Sequence, residues 1–255
     1  MQFITSRDND LIKYICKLNT GAAFRRSEGF FVAEGIKLCR DTAAVCPAEK
    51  VFYTALAAEK YPEVLQWSTN LYQISDSVAA KISQVQTPQG VFCLFKTPAH
   101  DIAQIDPKGR YIALDRVQDA GNVGAILRSA AAFGYDGAIL SADSADAFGP
   151  KAYRSSMTGA VKLPVFVTED MSAVLKQLTA LGMQTVAARL EESVDISAFC
   201  PKAGFTLVVG NEGQGVSSEV AQACDISVRI PMAGSVESLN AAVAAGVLLW
   251  HYRKP

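Results

Sequence analysis

Thr206-Leu-Val-Val-Gly-Asn-Glu-Gly-Gln-Gly-Val-Ser217 decides how the rest of the chain is read. Thr206–Val209 is a short apolar run without polar alternation, the pattern of a strand buried on both faces. It enters a turn holding Gly210, Gly213 and Gly215, and a helical pattern follows over Ser217–Cys224. Glycines in such a turn let backbone approach a ligand closely. The spacing G-x-x-G-x-G is not the G-x-G-x-x-G dinucleotide fingerprint, and no Lys-Ser/Thr follows to make a phosphate loop.

The same strand–loop–helix unit recurs through the C-terminal part of the chain. Strand candidates are Tyr111–Leu114, Gly137–Leu140, Val165–Val167, Gln184–Ala188 and Ile226–Ile230. Helical patterns lie between and after them at Val123–Phe133, Ala152–Thr158, Met171–Leu181 and Leu239–Tyr252. Strands alternating with helices predict an α/β domain with a mostly parallel sheet covered on both sides. Ligands bind such sheets at the carboxyl ends of the strands. The loops after Leu114, Val209 and Ile230 are therefore where a site is expected.

Residues 1–97 have a different texture, with helical patterns at Asp8–Leu18, Gly35–Thr42 and Ser77–Ile82 and strand-like runs at Gly29–Ala33, Val51–Thr54 and Gly90–Phe95. This reads as a small α/β domain, joined through a linker at 98–109 to a second domain at 110–255. Half of the 255 residues are hydrophobic and 19% are charged, which excludes wholesale disorder. The net charge of −1 excludes a protein that coats nucleic acid non-specifically. Residues 1–100 nevertheless carry 11 basic against 9 acidic side chains, while 101–255 carry 13 against 16. Arg7, Lys13, Lys17, Arg25 and Arg26 face only Asp8 and Asp10 in the first 26 residues. Either this is an ordinary solvated surface or it is a patch for phosphate contacts, for which a few well-placed cations suffice.

The six cysteines show no C-x-x-C spacing and only two histidines accompany them, so neither a zinc site nor a disulfide framework is expected. Most of these thiols lie in apolar stretches and read as reduced core residues. No signal peptide is expected, since the first residues alternate apolar and charged side chains. The longest apolar run, Leu239–Trp250, is too short for a bilayer. A soluble, cytoplasmic protein is the expectation.

Two further loops complete the pattern. Leu114-Asp-Arg-Val-Gln-Asp-Ala-Gly-Asn-Val-Gly-Ala-Ile-Leu-Arg128 leaves one strand and opens a helix, with Asn122 placed to cap it and Arg128 six residues on. Ile230-Pro-Met-Ala-Gly-Ser-Val-Glu-Ser-Leu-Asn240 leaves another strand, with Ser235 or Ser238 offered as the cap of the last helix. In order, N-x-G-x-x-x-R, G-N-E-G-x-G and I-P-M-x-G-S-V-E-S-L-N resemble the three motifs of the SpoU/TrmH branch of the SPOUT RNA methyltransferases. Lys151–Pro164 is similar to that family's segment between the first two motifs. The resemblance covers Tyr111–Arg253. More loosely, Ser6–Leu18, Phe30–Gly35 and Thr87–Val91 resemble the RNA substrate-binding domain that precedes it in many members.

The resemblance implies a C-terminal SPOUT domain with a trefoil knot, threaded from about Thr206 onward. It implies S-adenosylmethionine as methyl donor, S-adenosylhomocysteine as product and no metal. Gly210, Gly213, Ile230, Met232 and Leu239 match its cofactor-binding positions. Arg128 matches its catalytic arginine, and Asn122, Glu212, Ser238 and Asn240 match its other polar positions. A guanidinium is effectively never neutral, so Arg128 is better suited to gripping a phosphate and stabilising a developing alkoxide than to removing a proton. The implied reaction is 2′-O-methylation of structured RNA, ribosomal in preference to transfer RNA, by a homodimer joined near the knot. Leu239–Trp250 is either part of that interface or a plain core helix. Arg7, Lys13, Arg25 and Arg26 are the candidate RNA contacts. The alternatives are a transfer-RNA enzyme, a base methyltransferase, and a non-catalytic RNA-binding protein on the same scaffold.

Overall fold

The computed structural model of the chain describes residues 2–234 and 238–253. The N-terminal half contains β1 (Gln2–Ile4), α1 (Asp10–Thr20), α2 (Ala22–Glu28), β2 (Phe30–Glu34), α3 (Ile36–Ala43), β3 (Ala48–Tyr53), α4 (Ala55–Lys60), β4 (Leu71–Ile74), α5 (Asp76–Ile82) and β5 (Val91–Lys96). Its five strands form a mixed sheet in the order β1-β4-β3-β5-β2. β5 lies antiparallel to both β3 and β2. Helix α1 is amphipathic: it turns Ile12, Ile15 and Leu18 onto the sheet, and Asn9 caps it by accepting from the Leu11 amide.

The second half begins with β6 (Arg110–Leu114), α6 (Ala120–Ala132), β7 (Gly137–Ser141), α7 (Pro150–Ser156), α8 (Gly159–Lys162) and β8 (Val165–Thr168). It continues with α9 (Met171–Ala180), β9 (Gln184–Ala188), β10 (Val194–Asp195), β11 (Phe205–Val209), α10 (Ser218–Gln222), β12 (Ile226–Arg229) and α11 (Ala241–His251). Seven strands form one sheet in the order β10-β12-β9-β11-β6-β7-β8, and every pairing is parallel. The missing alternation now has its cause. Ile112 and Leu114 enter the core beneath α6 and α11, while Tyr111 and Ala113 enter the core beneath α9 and α10. Successive side chains alternate faces, and both faces are dry.

The stretch read as a linker is packed down. Ile105 is buried in the second of those cores, and the His100 ring sits 5.7 Å from that of Phe166. Cys39 and Cys93 are buried as expected, whereas Cys200 is exposed. Among the described residues no helix is long and apolar enough to cross a membrane.

Candidate active site

The loops after β6, β11 and β12 meet at one end of the parallel sheet. In the first, Asp115 is buried, and its Oδ2 accepts from the Ser217 amide at 2.7 Å, tying this loop to the start of α10. Arg116 sits in the left-handed region with φ 57°. Its amide donates to Ser141 Oγ at 2.9 Å, and its carbonyl accepts from Asn211 Nδ2 at 2.9 Å. The expected cap of α6 needs correcting. Asp119 caps it, accepting from the Asn122 amide at 3.0 Å. Asn122 therefore lies inside the first turn with its side chain free for another use. Lys151 Nζ lies 2.6 Å from Asp119 Oδ2, and that hydrogen bond is the main reason the Asp119 carboxyl titrates below its ordinary range.

In the second loop the chain folds back tightly. Asn211 and Gly215 exchange both backbone hydrogen bonds, at 3.0 and 2.9 Å. A side chain at Gly210 would put Cβ 2.0 Å from the Gly215 carbonyl carbon and 2.1 Å from the Val216 nitrogen, so only glycine fits. The turn aims Glu212 at the first loop. The carboxylate accepts from the amides of Gln118 at 3.3 Å and Asp119 at 3.2 Å, and from Asn122 Nδ2 at 2.9 Å. Burial pushes the Glu212 carboxyl up, but the Asn122 bond and the backbone amides outweigh it, leaving a net lowering.

In the third loop the cap also needs correcting. Asn240, not Ser238, caps α11, accepting from the amides of Ala242 at 2.9 Å and Val243 at 3.2 Å. An amide side chain has two ends, and Asn240 Nδ2 donates to Asn122 Oδ1 at 3.2 Å. Ser235 lies outside the described residues. The three loops are thus laced by one relay, Asn240 to Asn122 to Glu212. Its direction is determined: because Asn240 Oδ1 faces helix amides, its Nδ2 must donate, so Asn122 must present its oxygen there and its own Nδ2 to Glu212.

Beside the relay lies a cavity of about 460 Å³, within the roughly 300–1,000 Å³ range of small-molecule sites. Gly210, Gly213, Ile230, Met232 and Leu239 all face it, with Glu212 and Ser238 at its wall. Its apolar surface comes from Val209, Val228, Ile230, Leu239, Ala244 and Leu248. Residues 188–191, the last of β9 and the three beyond it, also face it; the rule that ligands sit at strand ends, applied to Gln184–Ala188, would have marked them. Arg128 is not part of the relay or of this wall. Its side chain is exposed on α6, about 9 Å along the helix from Asn122 at 1.5 Å per residue. Among the described residues no group of three or more His, Cys, Asp or Glu side chains is disposed to hold a metal ion.

Of the candidate RNA contacts, Arg7, Lys13 and Arg26 are exposed, and Lys13 lies 3.6 Å from Asp10. Arg25 is a correction. Its side chain is 7% exposed and paired with Asp146 at 2.7 Å, so it is not available to RNA.

Residues 109–250 match the SpoU rRNA methylase family, and residues 9–93 match an MRM3-like substrate-binding domain. A Bacillus subtilis relative, the 23S rRNA (guanosine(2553)-2′-O)-methyltransferase RlmP, is 29% identical over 99% of this chain and 100% of its own length. Similar solved structures include an rRNA methyltransferase from Sinorhizobium meliloti with S-adenosylmethionine bound, with TM-score 0.85 and 29% identity over 98% of this chain and 96% of that one. Another is the SpoU methyltransferase AviRb from Streptomyces viridochromogenes, also with the cofactor, with TM-score 0.86 and 26% identity over 95% and 96% of the two chains.

Proposed function

The chain belongs to the SpoU rRNA methylase family, and from that premise we propose that it methylates a ribose 2′-hydroxyl of structured RNA, ribosomal rather than transfer RNA, using S-adenosylmethionine. The observation that carries this reading is the relay through Asn240, Asn122 and Glu212 beside the cavity walled by Gly210, Ile230 and Leu239. The cavity suits the cofactor: its apolar walls accept the face of a purine, and the backbone of the glycine turn offers donors and acceptors to its edge. Gly210, Gly213, Ile230, Met232 and Leu239 would hold it. When bound it supplies a methyl group on a sulfonium, whose departure as a neutral thioether needs no metal.

The rest falls to the chain's own side chains. The new bond joins the ribose oxygen to the methyl carbon, the carbon–sulfur bond breaks, and the hydroxyl proton leaves to a phosphate oxygen of the RNA or to water. Arg128, exposed and without a partner among the described residues, has its donors free to grip the adjoining phosphate bidentately and orient the ribose. Its permanent charge stabilises the developing alkoxide. Asn122, Glu212, Ser238 and Asn240 hold the loops in register and position the ribose. The exposed cations Arg7, Lys13 and Arg26 on the N-terminal half contact RNA away from the reacting nucleotide.

A homodimer belongs to the same proposal. Helix α11 buries Ala241, Ala245, Leu248 and Leu249, yet Val243, Val247 and Trp250 are 54%, 38% and 53% exposed. At spacings of four and three residues they form one apolar stripe. The trefoil knot and a cytoplasmic site of action are carried as parts of this reading too.

The test is transfer of labelled methyl from S-adenosylmethionine into unmodified total RNA by wild type and Arg128→Ala, followed by nucleoside analysis. Label in 2′-O-methyl nucleosides of ribosomal RNA, absent with Arg128→Ala, is expected. Label in a base, or cofactor binding with no transfer to any RNA, overturns the reading.

A further inference from the structure

Arg25 stands apart from the other basic residues near the N-terminus because it is buried. Its Nε donates to Asp146 Oδ2 at 2.7 Å and its Nη1 to the Leu18 carbonyl. The other Asp146 oxygen accepts from the Phe148 amide at 2.9 Å. A second buried polar contact joins the same two regions, with Thr42 Oγ1 2.6 Å from the Tyr153 hydroxyl. Between these contacts the Phe31 ring packs against Phe148 at 5.0 Å and Tyr153 at 4.6 Å. The segment from Asp146 to Tyr153 is thereby seated on α2, β2 and α3 of the N-terminal half.

The same segment and its continuation grip α6. Lys151 holds Asp119, the cap of α6. At Gly124 an added Cβ would lie 2.3 Å from the Ala152 carbonyl oxygen and 2.5 Å from Ser155 Cβ, so α7 packs directly on the α6 backbone there and α6 has no room for a side chain at that position. One turn on, the Cβ position of Gly159 lies 3.1 Å from the backbone nitrogen and Cα of Arg128. The link between α7 and α8 places Met157 at φ 47° and Thr158 at φ 70°. Left-handed conformations at non-glycine residues are unfavourable and persist only where the surroundings over-determine them.

We propose that residues 146–159 are a rigid coupler, and that Arg25, Asp146, Thr42 and Tyr153 are positioning residues that set where an RNA held on the N-terminal half presents its ribose to α6. This rests on the function proposed above. Apolar packing alone would hold the two halves together over a range of angles. A buried ion pair and a buried hydroxyl pair are satisfied in one relative orientation, and orientation is the property such groups specify best. The coupler thus selects which nucleotide is methylated, while none of residues 146–159 lines the cofactor cavity, which lies toward the other end of the sheet order.

The test uses the full chain with Arg25→Gln, Arg25→Lys and the double variant Thr42→Val/Tyr153→Phe. The double variant removes both hydroxyls together, so neither is left unpaired; the Leu38 carbonyl, four residues back in α3, gives up only the bond it accepts from Thr42 Oγ1 at 2.6 Å. With transcribed ribosomal RNA as substrate, methylated positions are mapped and kcat/KM is measured beside cofactor affinity. Expected are unchanged cofactor affinity, a fall in kcat/KM of about 10- to 100-fold from misplacement, and methyl groups spread to neighbouring riboses. Arg25→Lys, which keeps a charge for Asp146, should retain more of the wild-type position preference than Arg25→Gln. Wild-type efficiency at the single wild-type position in the double variant overturns the proposal. Failure of the wild type to methylate any RNA is seen before variants are compared and refutes the enzymatic reading. The coupling is then judged on amide exchange over residues 120–123, expected to be about tenfold faster in Arg25→Gln and the double variant; unchanged exchange there overturns it.

Discussion

Replacing Asn122 with Asp changes one atom group and tests the relay. The aspartate keeps an acceptor for Asn240 Nδ2, now 3.2 Å away, but loses the donor that reaches Glu212 Oε1 at 2.9 Å. Two carboxylates then face each other at hydrogen-bond distance. A hydrogen bond to a charged group contributes about 1.5–3 kcal/mol. Glu212 reaches solvent, which screens the loss, so about 2 kcal/mol is expected, roughly thirtyfold in methyl transfer at about 1.36 kcal/mol per tenfold. The signature is the pH dependence. Two carboxylates in contact share a proton, and the first protonation is shifted upward. As pH falls into the ordinary carboxylate range the pair gains that proton, which restores a donor between positions 122 and 212. Single-turnover transfer by Asn122→Asp, relative to wild type at each pH, should therefore recover on acidification, while Asn122→Ala shows no recovery. Equal relative losses for both variants at every pH would refute the relay as the link between the loops.

Two further outcomes follow from the same geometry. Gly210→Ala forces the second loop open and breaks the paired Asn211 and Gly215 backbone bonds; at about 1 kcal/mol per bond the Kd for S-adenosylmethionine should rise about thirtyfold, and an unchanged Kd by calorimetry would contradict the glycine cradle. The lowered titration of Glu212 makes its contribution to stability fully present above the ordinary carboxylate pKa and lost as pH falls through the depressed folded value; the wild-type melting temperature should therefore fall further between neutral and strongly acidic pH than that of Glu212→Gln, and parallel curves would show that the carboxylate adds nothing.

The parallel sheet was legible because its strands lack alternation, as burial on both faces dictates, and because the runs are too short for buried helices. Tyr111–Leu114 and Gln184–Ala188 are examples, each with neighbours leaving to two separate cores. The N-terminal half was less legible. β1 and β4 are three and four residues long, and half-exposed side chains in them offer no apolar period to read. Helix α2, Ala22–Glu28, carries Arg25 and Arg26 in its last turn, so it read as a charged surface. Burial of Arg25 depends on Asp146, 121 residues away, and no local pattern announces such a partner. Lys151 lay in a stretch already singled out, but its role depends on Asp119 lying across the groove between α6 and α7.

The two caps that sequence misassigned explain how the site works. Asp and Asn are nearly equal as caps, so Asp119 and Asn122 could not be ranked by propensity, nor Ser238 and Asn240 by more than a little. Structure chooses by what each side chain can do afterwards. A carboxylate at 119 spends one oxygen on the helix amide and the other on Lys151, which it attracts and an amide would not. An amide at 240 spends its oxygen on two helix amides and keeps two N–H donors; a serine cap would keep a single O–H donor on a shorter side chain. Asn122, relieved of capping, is then the one side chain in the first turn that can accept from Asn240 and donate to Glu212 at once. Neither Asp, which lacks the donor, nor Ser, which lacks the reach, does both. The residue types at 119, 122, 212 and 240 are therefore one choice and not four: the asparagine that looked like a cap is the cross-link between three loops because its neighbours took over the capping.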